Sequence, residues 1–207
     1  GVDNYSPAQV GFVALDKEER ERLARVRYKE AGYGPDNPLK LTLNYNTSEG
    51  HKKIAIAVQQ FWKGIGVEMT PNNMEWKVHT DRMQNQDFEV ARYAWCGDYN
   101  EASTYLDLFT SYSGHNNGKF FNDRYDELMK ESKTAEDANP MYTAAEQILA
   151  DEMPFAPIYQ YTKVEMVKPD TDQRNLALAE QLVSTQDLLL EYQRGAFYPA
   201  EGHNNLE

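Results

Sequence analysis

The stretch from residue 39 to residue 76 constrains the fold most. "LKLTLNYN" (39 to 46) alternates apolar and polar residues, with Leu39, Leu41, Leu43 and Tyr45 on one side, the signature of a half-buried strand. "SEGHKKIAIAVQQFWKGIG" then changes to helical spacing, with Ile54, Ala57, Val58, Phe61, Trp62 and Ile65 as its apolar face and Gly64 and Gly66 at its end. "VEMTPNNMEW" returns to an extended pattern in which Pro71 indicates an edge strand or a break. Strand, helix, strand in that order is a crossover unit, which favours parallel pairing.

The flanking segments agree with an α/β class. "LDKEERERLARVRYKEAGYG" opens on Asp16 as N-cap with Glu19 three residues on, a spacing that lets each side chain satisfy the other's free backbone donor. Gly32, Gly34 and Pro35 stop that helix. A short helix from Lys77 to about Met83 leads to "DFEVARYAW", a strand with Phe88, Val90 and Ala94 inward. Two helices follow, in "NDRYDELMKESKT" and "NPMYTAAEQILADE", then Pro154 and Pro157 and an alternating arm, "IYQYTKVEMVK". From Thr171 the chain reads as one more helix closed by Gly195. The expected fold is a single α/β lobe spanning 1–207, with a central mixed sheet flanked by helices.

Composition excludes several functions. The 207 residues are long enough to bury a core, and hydrophobic residues make up 41% of them, far from the composition of a disordered chain. A formal net charge of −12 leaves no basic stripe to follow a phosphate backbone, so no nucleic-acid partner is expected. The longest apolar runs, such as "IAIAV", fall well short of the roughly 20 residues that span a bilayer. The abrupt start at "GVDNYSP" reads as a mature or excised piece.

Catalytic signatures are missing. The four histidines, His51, His79, His115 and His203, lack i, i+4 spacing and read as surface residues, and one cysteine completes no tetrahedral site. No nucleophile elbow surrounds a serine, and neither G-x-G-x-x-G nor a Walker loop occurs, so no metal, cofactor or catalytic residue is expected.

What remains lies at strand ends, where open α/β sheets bind their ligands. "RYAWCGDYNE" (92 to 101) concentrates Arg92, Trp95, Cys96 and Asp98 at one such end, and His51 follows another. An aspartate can take an ammonium group, arginine or histidine a carboxylate, and a tryptophan face can cover an apolar side chain. The same residues can equally be ion pairs and packing, and the residues alone leave both readings open.

The stretches "LNYNTSEGHKKIAIAVQQFWKGIGV", "EWKVHTDRMQNQDFEVARYAWCGDYNEASTYLDLF" and "YTAAEQILADEMPFAPIYQYTKVEMVKP" closely resemble the second lobe of the periplasmic oligopeptide-binding proteins of ABC transporters. The likeness covers residues 1–170. It implies that Asp98 holds the ammonium of a bound peptide, that Arg92, Arg82 and His51 receive peptide carboxylates, and that Trp95 walls a side-chain pocket. Arg82 matches only with a gap of one residue before Arg92. Cys96 matches a cysteine that the family bonds to another on a strand not found in this chain. The implied partners are oligopeptides, a first lobe missing from this sequence and, for the parent, the membrane subunits of a periplasmic ABC transporter.

Departures from the family shape the remaining expectations. Residues 171–202 resemble, more loosely, a helix and turn that the family places before the segment matching "GVDNYSP", which suggests a circular permutation; 203–207 read as a linker or tag scar. Arg27 and Lys29 stand where the family has apolar residues, consistent with a resurfaced cut face. The expectation is therefore a monomeric, non-catalytic lobe that binds peptide weakly or not at all alone. The alternative is an engineered folding scaffold, a recombinant piece that retains no ligand binding.

Overall fold

Asp16 accepts a hydrogen bond from the Glu19 amide at 2.8 Å and so starts α1 (Lys17–Glu30). The computed structural model describes residues 5–158, which fall into two compact units, Val10–Arg92 and residues 5–9 with 93–158. The permutation expected from 171–202, the strand pattern continuing past Ile158 and His203 all lie outside the described residues.

In the Val10–Arg92 unit, α1 buries none of its residues and is held together along its surface by Glu19–Arg22, Glu21–Arg25 and Arg27–Glu30 pairs. Arg27 and Lys29 are both exposed. The reciprocal half of the capping box is not made, because the Glu19 carboxylate turns to Arg22 at 2.7 and 2.8 Å, a stronger charge-assisted contact. One side chain ties the helix down: the Tyr28 hydroxyl donates to the Gly66 carbonyl at 2.7 Å and accepts from the Leu39 amide at 3.0 Å. Gly66 has φ +100°, a backbone that favours glycine, and a Cβ there would lie 3.2 Å from the Tyr28 ring, a tight contact.

The sheet is ordered β2-β1-β3, from β1 (Lys40–Asn46), β2 (Glu68–Met74) and β3 (Val90–Ala91), and every described pairing is parallel. β2 is an edge, as Pro71 implies. β3 is far shorter than the alternation of "DFEVARYAW" suggests; among the described residues it pairs at Leu43 with Val90 and Asn44 with Ala91. Leu39, Leu41, Leu43 and Tyr45 point into one core with Met69, Val67 and residues of α2 (Glu49–Lys63). α2 corrects the expected face: Ala55, Val58, Trp62 and Ile65 pack inward, whereas Ala57 is exposed and Phe61 is 74% exposed. The apolar pattern of "IAIAVQQFW" runs around so much of the helix that periodicity alone cannot choose between the two faces. α3 (Trp76–Gln84) packs against β1.

The other unit is helical. α4 (Ser103–Leu106), α5 (Asp123–Glu131) and α6 (Asn139–Glu152) close around Tyr105, Leu106, Tyr125, Met129, Ala145 and Leu149. The buried Tyr125 hydroxyl donates to the Leu106 carbonyl at 2.6 Å, satisfying a polar group in the middle of that core. Ser111, at the start of the Gly/Asn-rich loop, is fastened by the buried Asp126 carboxylate, which accepts from its amide at 2.9 Å and from its hydroxyl. Asn116 holds the far side, accepting from the Phe120 amide at 2.9 Å and donating to the Phe120 carbonyl at 2.7 Å.

Candidate functional site

At the carboxyl end of the parallel strands, Asn46 is the meeting point of two of the expected cations. Arg92, 6% exposed, donates from Nη1 to the Asn46 side-chain oxygen at 3.3 Å. His51, in the first turn of α2, is 2% exposed and meets the Asn46 carbonyl through Nδ1 at 3.2 Å. A carbonyl only accepts, so Nδ1 carries the hydrogen in that contact. Both residues were expected here, and the strand end explains why: β1 delivers Asn46 between the strand before Arg92 and the helix that begins after Ser48.

Arg82 is placed differently. It occupies the last turn of α3, its side chain 44% exposed, and its side-chain partner among the described residues is Asp87 at 3.7 Å. An exposed pair of that kind contributes about 0–1 kcal/mol. Asn46 joins Arg92 and His51 and does not join Arg82.

Two further residues at this strand end carry no site signal in the sequence: Asn46, and His79, which reads as a surface histidine. His79 is in fact 2% exposed and its Nε2 lies 2.9 Å from the Arg92 carbonyl. Burial lowers its basicity below the ordinary histidine value, and the Arg92 cation adds to that, while the backbone hydrogen bond opposes it. Only the i, i+4 placement of His79 and Met83 on α3, both buried, hints at an inward face.

Trp95, Cys96 and Asp98 belong to the helical unit. Trp95 is half-buried, packs against that unit's core and meets the exposed His115 ring at a tilt, with centroids 4.7 Å apart; its Nε1 is buried without a partner among the described residues. Asp98 is exposed and its amide donates to the Thr104 hydroxyl at 3.0 Å, which fixes the turn that carries the carboxylate. Among the described residues that carboxylate has no hydrogen bond or ion pair. Cys96 is a free, half-buried thiol, pushed above its ordinary value by burial and then by the Asp98 charge. Chemically, one strand end offers buried nitrogen donors for an anion, and the turn at Asp98 offers an open carboxylate for a cation.

Among the described residues no three His, Cys, Asp or Glu side chains are grouped to hold a metal ion, and no helix is long and apolar enough to cross a membrane.

Residues 3–117 match the family described as "Bacterial extracellular solute-binding proteins, family 5 Middle". Over 169 residues the chain is 44% identical to the periplasmic murein peptide-binding protein of Escherichia coli, covering 80% of this chain and 32% of that protein. It is 40% identical over 172 residues to the periplasmic oligopeptide-binding protein of the same organism, covering 81% of this chain and 32% of the relative. A solved structure of the Escherichia coli murein tripeptide binding protein aligns with a TM-score of 0.75 at 44% identity, over 80% of this chain and 33% of that one. The chain thus spans about a third of the length of these relatives.

Proposed function

Because the chain belongs to the bacterial extracellular solute-binding proteins of family 5, we propose that it supplies one lobe of a periplasmic site that captures oligopeptides for uptake by an ABC transporter. The observation that carries this reading is Arg92: a buried guanidinium held at the carboxyl ends of parallel strands, inside the matched segment. The Arg92 guanidinium and the buried His51 imidazole receive the peptide carboxylate. Asp98, with its open carboxylate, takes the ammonium, and Trp95 lines a side-chain pocket. Arg82, paired with Asp87, serves peptides whose carboxylate reaches the end of α3. The reaction class is reversible binding without catalysis, and the partners are the peptide, an opposing lobe and the transporter's membrane subunits.

Alone, the chain binds weakly. A ligand covered on one side leaves its ammonium contact with the exposed Asp98 in high dielectric, where it is worth about 0–1 kcal/mol. Main-chain hydrogen bonds and water-filled pockets, the usual sources of peptide affinity, also need an opposing surface.

Isothermal titration with a short lysine-containing peptide tests this, run on the chain and on Asp98→Ala and Arg92→Ala, with circular dichroism confirming that all are folded. Weak heat that is lost in both variants is the expected result. A low-micromolar titration overturns the weak-binding part, and equal heat in all three proteins overturns the assignment of charges. No heat from any folded protein favours the second reading, a structural lobe without retained binding.

A further inference from the structure

His79 holds its place for a reason that its own helix does not provide. β3 ends after two residues, and the Arg92 amide, donating to the Asn44 carbonyl at 2.8 Å, is the last rung that β1 offers it. Beyond that rung the Arg92 carbonyl has left the ladder, and an unsatisfied buried carbonyl costs about 1–3 kcal/mol. The His79 Nε2, on α3, meets that carbonyl at 2.9 Å. A carbonyl accepts, so Nε2 carries the hydrogen and Nδ1 of the neutral ring is a bare lone pair. Nδ1 is buried and has no partner among the described residues.

The holds on Arg92 among the described residues include its amide on Asn44, its carbonyl on His79 and its guanidinium on the Asn46 side chain. We propose that His79 is the positioning residue for Arg92, and that a proton added to its Nδ1, although it strengthens the Nε2 donor, leaves a buried charge beside the Arg92 cation whose cost drives the ring from its place and ends that hold, so that the anion-receiving group is well placed at neutral pH and poorly placed in acid. The part of this that concerns ligands rests on the reading of Arg92 as the receiver of a peptide carboxylate.

The chemistry supports the direction. A proton on Nδ1 creates a buried donor with no acceptor among the described residues, next to the Arg92 cation, a charge that acts on the ring. β1, on which α3 packs, ends in the uncharged Asn44 and Asn46, with Tyr45 turned into the core beneath the sheet. His51, at the Asn46 carbonyl, is the other titratable ring at this strand end. Burial lowers the His79 pKa below 6.5 and the Arg92 charge lowers it further, against the backbone hydrogen bond.

Nitrogen NMR on the labelled chain and on His79→Phe and His79→Gln tests the proposal. In the wild type, His79 should show a protonated Nε2 and a bare Nδ1 at neutral pH, and the Arg92 amide and Nε signals should move with the His79 titration as the solution is acidified. His79→Phe should lose that acid step and shift the Arg92 signals at neutral pH. His79→Gln, whose amide can donate to the same carbonyl, should lose the step yet keep neutral-pH Arg92 signals near wild type. Wild-type Arg92 signals that do not follow His79 overturn the proposal. So does an acid step that persists in folded His79→Gln or His79→Phe.

Trialanine at millimolar concentration, added to wild type and Arg92→Ala, separates the two readings. If it shifts the spectra of both alike, the carboxylate reading falls and the Arg92 signals still judge His79. If it shifts only wild type, the response should fade in acid with the His79 midpoint, and a response indifferent to that midpoint overturns the ligand part of the proposal.

Discussion

The Tyr5 hydroxyl donates to the Glu146 carboxylate at 2.6 Å, bridging 141 positions of sequence. The same carboxylate accepts the Ala8 amide at 2.8 Å, and the Thr143 hydroxyl donates to the Ser6 carbonyl at 2.8 Å, so one turn of α6 secures the incoming segment. A hydrogen bond to a charged partner is worth about 1.5–3 kcal/mol, and Tyr5→Phe is expected to lower unfolding stability by that amount in urea titrations. Burial, then the Glu146 charge and its hydrogen bond, raise the Tyr5 pKa above 10.0. The folded protein thus holds that proton where the unfolded chain gives it up. This contribution is complete below about 10 and declines as pH rises beyond it, and Tyr5→Phe should remove that alkaline decline.

His79 makes the opposite contribution at the acid side. Its folded pKa lies below the ordinary 6.5, so between those two values the unfolded chain binds the proton and the folded chain does not. Stability is full above about 6.5 and falls as pH drops from there toward the lowered value. Denaturant midpoints measured across that range should flatten in His79→Gln relative to wild type. Identical slopes for the two proteins would contradict the buried, neutral ring.

Cys96 is expected to be a slow thiol. Burial and the Asp98 carboxylate both disfavour the thiolate, which is the reacting form. Alkylation by iodoacetamide at neutral pH should run slower than for an unfolded control peptide, and Asp98→Asn should speed it. A rate equal to the control would show a more open thiol than the half-buried one described here.

The two faces of α2 and the core of the helical unit predict contrasting sensitivities. Leu149, 2% exposed among Tyr142, Ala145 and Met129, should cost about 2–5 kcal/mol as Leu149→Ala. Phe61, 74% exposed, should change stability by no more than about 0.5 kcal/mol as Phe61→Gln. Thermal melts of the two variants give the comparison directly.

Phe61 also shows where the sequence was hard to read. Period-two alternation in residues 39 to 46 marks β1 and its buried side correctly, because only one face of that strand is apolar. α2 carries apolar residues on more than one face, and which face turns inward depends on tertiary contacts that no local pattern contains. β3 is short for a related reason: "DFEVARYAW" has the alternation of a longer strand, but among the described residues β1 offers it Leu43 and Asn44 as partners. At the candidate site, charged residues at strand ends were visible as such, and Arg92 and His51 do share Asn46. Asn46 and His79 were not, since their roles come from bonds to backbone atoms brought near by folding. Arg82 bears the right charge in the right region, yet its side-chain partner among the described residues is Asp87.

The Tyr28 hydroxyl, set between the Gly66 carbonyl and the Leu39 amide, has a further consequence. α1 buries none of its side chains, so little apolar surface must be wetted for it to leave. Its amides should exchange with deuterium through a private opening of low free energy, while those of β1 wait for the whole unit to come apart. Among the described residues the Tyr28 phenol is the latch of this removable helix, and the clock of its exchange is set by how often that latch lifts.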